Sequence, residues 1–144
     1  MFLGEYQHTL DAKGRLSLPA KFRNQLSGDY VVAKGIEKCL YVFSPEGFEA
    51  FLAQLNEKGD FGPDIRIVRR FFTAGAKPDE LDSAGRISIT SAQREYANLG
   101  RDVAVIGNDD RIEIWDVAAW AAYNDEAENR IEEVTSKLAE LGIL

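Results

Sequence analysis

One histidine and one cysteine occur among the 144 residues, and that scarcity removes several function classes. Cys39 alone forms no internal disulfide, so the chain is no disulfide scaffold and suits a reducing compartment. His8 and Cys39 together fall short of a zinc cluster, and no other metal or cofactor signature stands in the chain. A calcium loop would need alternating ligands and a glycine, which the acidic run from Asp125 to Glu133 lacks. Neither a P-loop nor a dinucleotide-binding glycine pattern is present. No nucleophile stands with a base, so the expectation is a protein that is not an enzyme. His8 reads as a surface or packing residue and Cys39 as a buried structural thiol. No apolar stretch nears the roughly 20 residues of a membrane span. The opening MFLGEYQH has no basic flank, which speaks against a signal peptide. A soluble, cytoplasmic protein without a membrane partner is expected.

The chain has ordinary fractions of apolar and charged residues, 45% and 28%, and its length suits one domain or two very small ones. Its net charge of −7, taken alone, argues against a nucleic-acid partner. The charge is unevenly spread, however. Residues 1–27 hold Lys13, Arg15, Lys21 and Arg23 against Glu5 and Asp11, whereas residues 123–144 are strongly acidic. A basic surface at one end of an acidic molecule is compatible with this pattern.

The dominant feature is repetition. LDAKGRLSLPAKFR, from Leu10 to Arg23, returns as LDSAGRISITSAQR, from Leu81 to Arg94. The correspondence continues with one extra residue in the second copy, so that YVVAKGIEKCLYVFSPEGF aligns with DVAVIGNDDRIEIWDVAAW. Two units, 5–47 and 76–119, are followed by a C-terminal helical segment, 120–144. Two repeats are too few for a solenoid, so a duplicated unit packed on itself with pseudo-two-fold symmetry is expected.

Each unit reads as strand, turn, strand, short helix, strand, strand, helix. Asp-x-x-Gly fits a type I turn closed by a left-handed glycine, which assigns Asp11, Gly14, Asp82 and Gly85 to turn structure. Leu16 and Leu18, like Ile87 and Ile89, alternate with serines as half-buried strands do. Pro19 opens one short helix, and Thr90 with Gln93 makes a capping box for the other. Ser44 and Asp116 suit the N-caps of the closing helices. Between the units, Gly59–Pro63 breaks the chain, and Asp64–Phe72 reads as a connecting helix, although Ile65, Ile67 and Phe71 also permit a strand. The final helix carries a seam of Trp120, Asn124, Ala127, Ile131, Val134, Leu138 and Leu141, which calls for another helix to cover it. The chain's own helices or an oligomer would serve. Arg15 and Arg86 either lock their turns by pairing with aspartate or contact a ligand.

LDAKGRLSLPAKFR resembles the strand–loop–helix signature of the SpoVT-AbrB family of swapped-hairpin DNA-binding domains. Two such units in a chain of this length are similar to the tandem-domain transcriptional regulators within it. The resemblance implies a mixed α+β fold, with two AbrB-like swapped-hairpin units interlocked into one small β-barrel and flanked by helices. It also implies a homo-oligomer in the form of a closed ring. The implied partner is double-stranded DNA, at direct repeats in the promoter of the chain's own division and cell wall gene cluster. Repression of that operon and a place at the nucleoid would follow. The family's DNA-contacting positions fall here on Lys13, Arg15, Lys21, Arg23 and Arg86. The second copy has Ala84 and Ala92 in place of Lys13 and Lys21, so the first copy is expected to face DNA and the second to be mainly architectural. Arg66, Arg69 and Arg70 form either a second phosphate patch or partners for acids at a subunit contact. A ring that serves as a scaffold for a protein partner is the competing reading.

Overall fold

A computed structural model describes residues 1–57 and 62–144; of the expected break at Gly59–Pro63, residues 59–61 lie outside them. The first unit runs β1 (Phe2–Thr9), β2 (Arg15–Ser17), α1 (Ala20–Leu26), β3 (Asp29–Lys34), β4 (Leu40–Phe43) and α2 (Pro45–Glu57). The connector is helical, as α3 (Pro63–Ala74), with Pro63 in its first turn. The second unit repeats the order as β5 (Lys77–Glu80), β6 (Arg86–Ser88), α4 (Ser91–Tyr96), β7 (Asp102–Asp109), β8 (Arg111–Asp116) and α5 (Val117–Asn129). A last helix, α6 (Ile131–Glu140), follows.

Six antiparallel strands form one sheet in the order β1-β7-β8-β4-β3-β5. Each unit's first strand pairs with the third strand of the other unit, β1 with β7 and β5 with β3. β4 and β8 meet at the centre, where Tyr41 stands opposite Glu113. β2 and β6 pair with each other as a separate two-stranded ribbon, around Leu16 opposite Ile87. In the sequence alignment Tyr41 corresponds to Glu113 and Leu16 to Ile87, so both centres mark the pseudo-two-fold axis.

Both faces of the sheet are covered, which explains why β4 and the middle of β8 are buried at successive residues rather than at alternate ones. On one face, Val32, Leu40, Val42, Val105, Ile112 and Ile114 pack against the ribbon and short helices through Leu16, Ile87, Phe22 and Ile89. Leu16 and Ile87 are fully buried, and each contributes about 1.5–3 kcal/mol by leaving water. On the other face, Tyr41, Phe43, Ala104 and Trp115 pack under α2, α3 and α5 through Phe51, Phe72 and Trp120. The buried Glu113 carboxylate is satisfied there by Asn108, Arg111 and the Trp115 indole N–H.

Among the described residues the expected barrel is not found closed. The sheet ends at β1 and β5, which do not pair with each other. The cause lies at the two motif turns. After Leu10 and after Leu81 the chain doubles back, and the three-residue strands β2 and β6 join as a separate ribbon against the core. A Leu10–Leu16 bridge, with the Asp11 N–H donating to the Arg15 carbonyl at 3.0 Å, links the end of β1 to that ribbon.

The caps follow the sequence. Thr90 and Gln93 form the reciprocal capping box, and Asp116 accepts from the Ala119 N–H. Ser44 accepts from the Gly47 N–H. Pro19 stands one position earlier than expected, as the N-cap of α1. The C-terminal segment is two helices rather than one long helix. Arg130, at φ −106° and ψ 1°, separates α5 from α6. Trp120 joins the core, whereas Ile131 and Leu141 stand 60% and 71% exposed, so the described residues do not cover this part of the seam.

Candidate nucleic-acid interface

The two motif turns are built alike. The Gly14 N–H donates to the Asp11 carbonyl at 3.0 Å, and the Gly85 N–H to the Asp82 carbonyl at 2.9 Å. Both glycines have positive φ, +82° and +75°, where other residues are strained. One Asp11 oxygen accepts from the backbone N–H groups of Lys13 and Arg15, at 2.9 and 2.8 Å. The other accepts from Arg15 Nε at 2.7 Å. Asp82 repeats this pattern with Ala84 and Arg86, with Arg86 Nε at 2.8 Å. The Arg15 N–H and side-chain bonds hold the Asp11 carboxyl down at about 2, with the Lys13 N–H adding to them. Asp82 is likewise lowered, chiefly by the Arg86 N–H.

Turn lock and ligand contact were the two alternatives for the arginines, and the geometry supplies the lock without consuming the side chain. Each guanidinium is held through Nε, and the side chains stay partly exposed, 37% for Arg15 and 31% for Arg86. The lock removes rotamer freedom that a free arginine would lose on binding. Arg86 Nη1 also lies 3.9 Å from the Asp11 carboxylate, so the two turns touch across the pseudo-two-fold axis. The β2–β6 register places Arg15 opposite Ser88 and Arg86 opposite Ser17. Because Leu16 and Ile87 point into the core, these four side chains share the outward face.

The structure brings a further arginine to this cluster. Arg94 Nη1 donates to the Ile89 carbonyl at 2.6 Å, and the Ile89 N–H donates to the Gly14 carbonyl at 2.7 Å. Arg94 therefore lies across Gly14, where a Cβ would overlap it. Arg23 lies likewise across Gly85, its Cδ 2.8 Å from where a Cβ would stand. Each unit's short helix thus places an arginine over the other unit's turn. Arg94 was legible only as the counterpart of Arg23 in the repeat. Lys13 is exposed on the first turn and Lys21 on α1. A cavity of about 580 Å³ beside the first turn brings Arg94 and Arg101 near Asp11.

Other sequence candidates lie elsewhere. Arg69 donates to the Asn56 side-chain carbonyl at 3.1–3.2 Å, tying α3 to α2 on the face opposite the ribbon. Arg66 and Arg70 are exposed on that same helix and do not join the motif cluster. Cys39 is buried, donates to the Ile36 carbonyl, and is pushed up as a thiol by that burial. His8 is half-buried on β1 opposite Val103. No helix among the described residues is long and apolar enough to cross a membrane.

The family model for the MraZ protein matches twice, over residues 1–71 and 72–141. The chain is 42% identical over 143 residues to the transcriptional regulator MraZ of Acetivibrio thermocellus, covering 99% of this chain and 100% of the relative. It is similar to the proteins of the same name from Syntrophomonas wolfei, at 40%, and Alkaliphilus oremlandii, at 41%, with the same coverage. The chain belongs to the MraZ family.

Proposed function

We propose that this MraZ family member is a sequence-specific transcriptional regulator that binds double-stranded DNA through the β2–β6 ribbon and its two turns. The observation that carries this reading is the pair of aspartate-locked arginines, Arg15 and Arg86, set on one diagonal of the ribbon's outward face and partly exposed. A guanidinium fixed in this way suits acceptors on a phosphate or a base edge. Lys13, Lys21 and Arg23 surround them, with Arg94 as the fourth arginine of the cluster. Within this reading the units 5–47 and 76–119 are interlocked swapped hairpins, a reading supported by the exchange of β1 and β5 between them. The segment 120–144 closes the chain.

The few cations of one subunit bind DNA weakly, and a closed homo-oligomeric ring multiplies them through effective concentration. The exposed Ile131 of α6 and Leu141 just after it supply apolar surface for such assembly. The expected targets are direct repeats in the promoter of the chain's own division and cell wall gene cluster, with repression as the outcome and a cytoplasmic, nucleoid-associated location. The first unit, with Lys13 and Lys21, supplies most of the phosphate contacts.

Fluorescence anisotropy with a labelled duplex of the upstream region, and a scrambled duplex, tests this at several salt concentrations. The upstream duplex should bind tighter, with affinity falling steeply as salt rises. Arg15→Ala should weaken binding at least tenfold with fold and assembly unchanged, and Arg86→Ala should do less. Equal binding of the two duplexes refutes the regulator reading and leaves the scaffold alternative. Equal damage from the two variants refutes the division between the units.

A further inference from the structure

The repeated phrase retains one residue type for which turn and core give no reason. Between Leu10–Arg23 and Leu81–Arg94 the shared residues include aspartate, glycine, arginine and serine. Aspartate and glycine make the turn, arginine pairs with aspartate, and Leu16 and Ile87 fill the core. Ser17 and Ser88 do none of these things. Both are exposed, and serine is not a favoured strand residue. Flanking positions have diverged freely, with Lys13 against Ala84 and Lys21 against Ala92.

The register shows what the two serines do share. Ser17 stands directly opposite Arg86, and Ser88 directly opposite Arg15. On this face the arginines occupy one diagonal and the serines the other. Cross-strand neighbours have Cβ atoms about 4.5–5.5 Å apart, and diagonal ones about 7–8 Å. The diagonal matches about two base steps of about 3.4 Å each. The backbone beneath is held in place, because the Ser88 N–H donates to the Tyr30 hydroxyl at 2.8 Å and Tyr30 is buried. A two-stranded ribbon fits the major groove, and a serine hydroxyl both donates and accepts, so it suits either kind of base edge.

Resting on the DNA-binding reading above, we infer that Ser17 and Ser88 are specificity-determining residues that contact base edges beside those reached by Arg86 and Arg15. The serines add no charge. Their contribution therefore falls on discrimination between sequences rather than on general affinity for phosphates.

The test begins with selection of duplexes by the wild-type protein from a random pool. Binding of an enriched duplex and a scrambled one is then measured for wild type, Ser17→Ala/Ser88→Ala and Ser17→Thr/Ser88→Thr. The alanine variant should bind the enriched duplex about tenfold more weakly. Its affinity for the scrambled duplex and its salt slope should stay as in wild type, and threonine, which keeps the hydroxyl, should restore discrimination. Unchanged discrimination in the alanine variant overturns the inference, because small side chains there would then serve only to clear the arginines. Equal weakening on both duplexes overturns it as well. If wild type enriches no sequence, the DNA-binding reading itself falls, and the inference with it.

Discussion

Gly14→Ala and Gly85→Ala are the same substitution at equivalent turns, yet the structure assigns them different costs. Both glycines have positive φ, and a left-handed conformation costs a non-glycine residue about 1–2 kcal/mol. Alanine recovers about 0.4–1 kcal/mol by restricting the unfolded chain. At Gly85 the new Cβ meets only the Arg23 side chain, with Cδ at 2.8 Å. That chain is long and half-exposed and can swing away, so the net cost is about 1 kcal/mol. At Gly14 the Cβ overlaps both Arg94 and the Ile89 carbonyl, which belongs to the backbone. Relief requires the segment after β6 to shift, which breaks the Ile89–Gly14 bond or the Arg94–Ile89 bond. A partly buried polar group left unpaired adds about 1–3 kcal/mol, so Gly14→Ala should cost about 3 kcal/mol in all.

Urea unfolding at one protein concentration, followed by tryptophan fluorescence, measures the difference. With a slope of about 2 kcal/mol per molar urea, the midpoint of Gly14→Ala should lie about 1 M below that of Gly85→Ala. Coincident midpoints would refute the claim that backbone crowding separates two turns of identical design.

Two more perturbations probe other parts of the molecule. The Asp11 carboxyl is held at about 2 by its N–H and arginine partners, below the unfolded reference of about 3.9. Its stabilising contribution is therefore fully present above about pH 4 and lost as pH falls through about 2. An NMR titration should show its midpoint near 2, and a midpoint near 4 would mean that the turn lock is absent in solution. Glu113→Ala removes the acceptor shared by Asn108, Arg111 and Trp115. It should cost about 3 kcal/mol and perturb Trp115 emission in the native state, with Glu113→Gln milder; a loss under 1 kcal/mol would show that the cluster is not coupled.

The turns, caps and element order were legible because each depends on neighbours within a few residues. Asp11, Gly14 and Arg15 span five positions, as do Asp82, Gly85 and Arg86, and the hydrogen bonds that define them close inside that span. Thr90 and Gln93 cap a helix three residues apart, again locally. The single long C-terminal helix was misread because a periodic apolar seam continues across Arg130 while the backbone does not. The mixed α+β class was legible, whereas no closed barrel is found among the described residues, because pairing at the sheet edges is long-range and leaves no local pattern.

The sequence by itself determined the duplicated unit, its Asp-x-x-Gly turns, and the apolar face of the strands that follow them, since short-range sterics and periodicity decide these. Only the tertiary structure decided that β1 crosses to β7 and β5 to β3, and that Arg23 and Arg94 lie across the opposite unit's glycines. It alone set Ser17 against Arg86 and Ser88 against Arg15. The ribbon pairs join residues about seventy positions apart. Their register is chosen by the burial of Leu16 and Ile87 in a shared core, because a slip of one residue would turn both away from it.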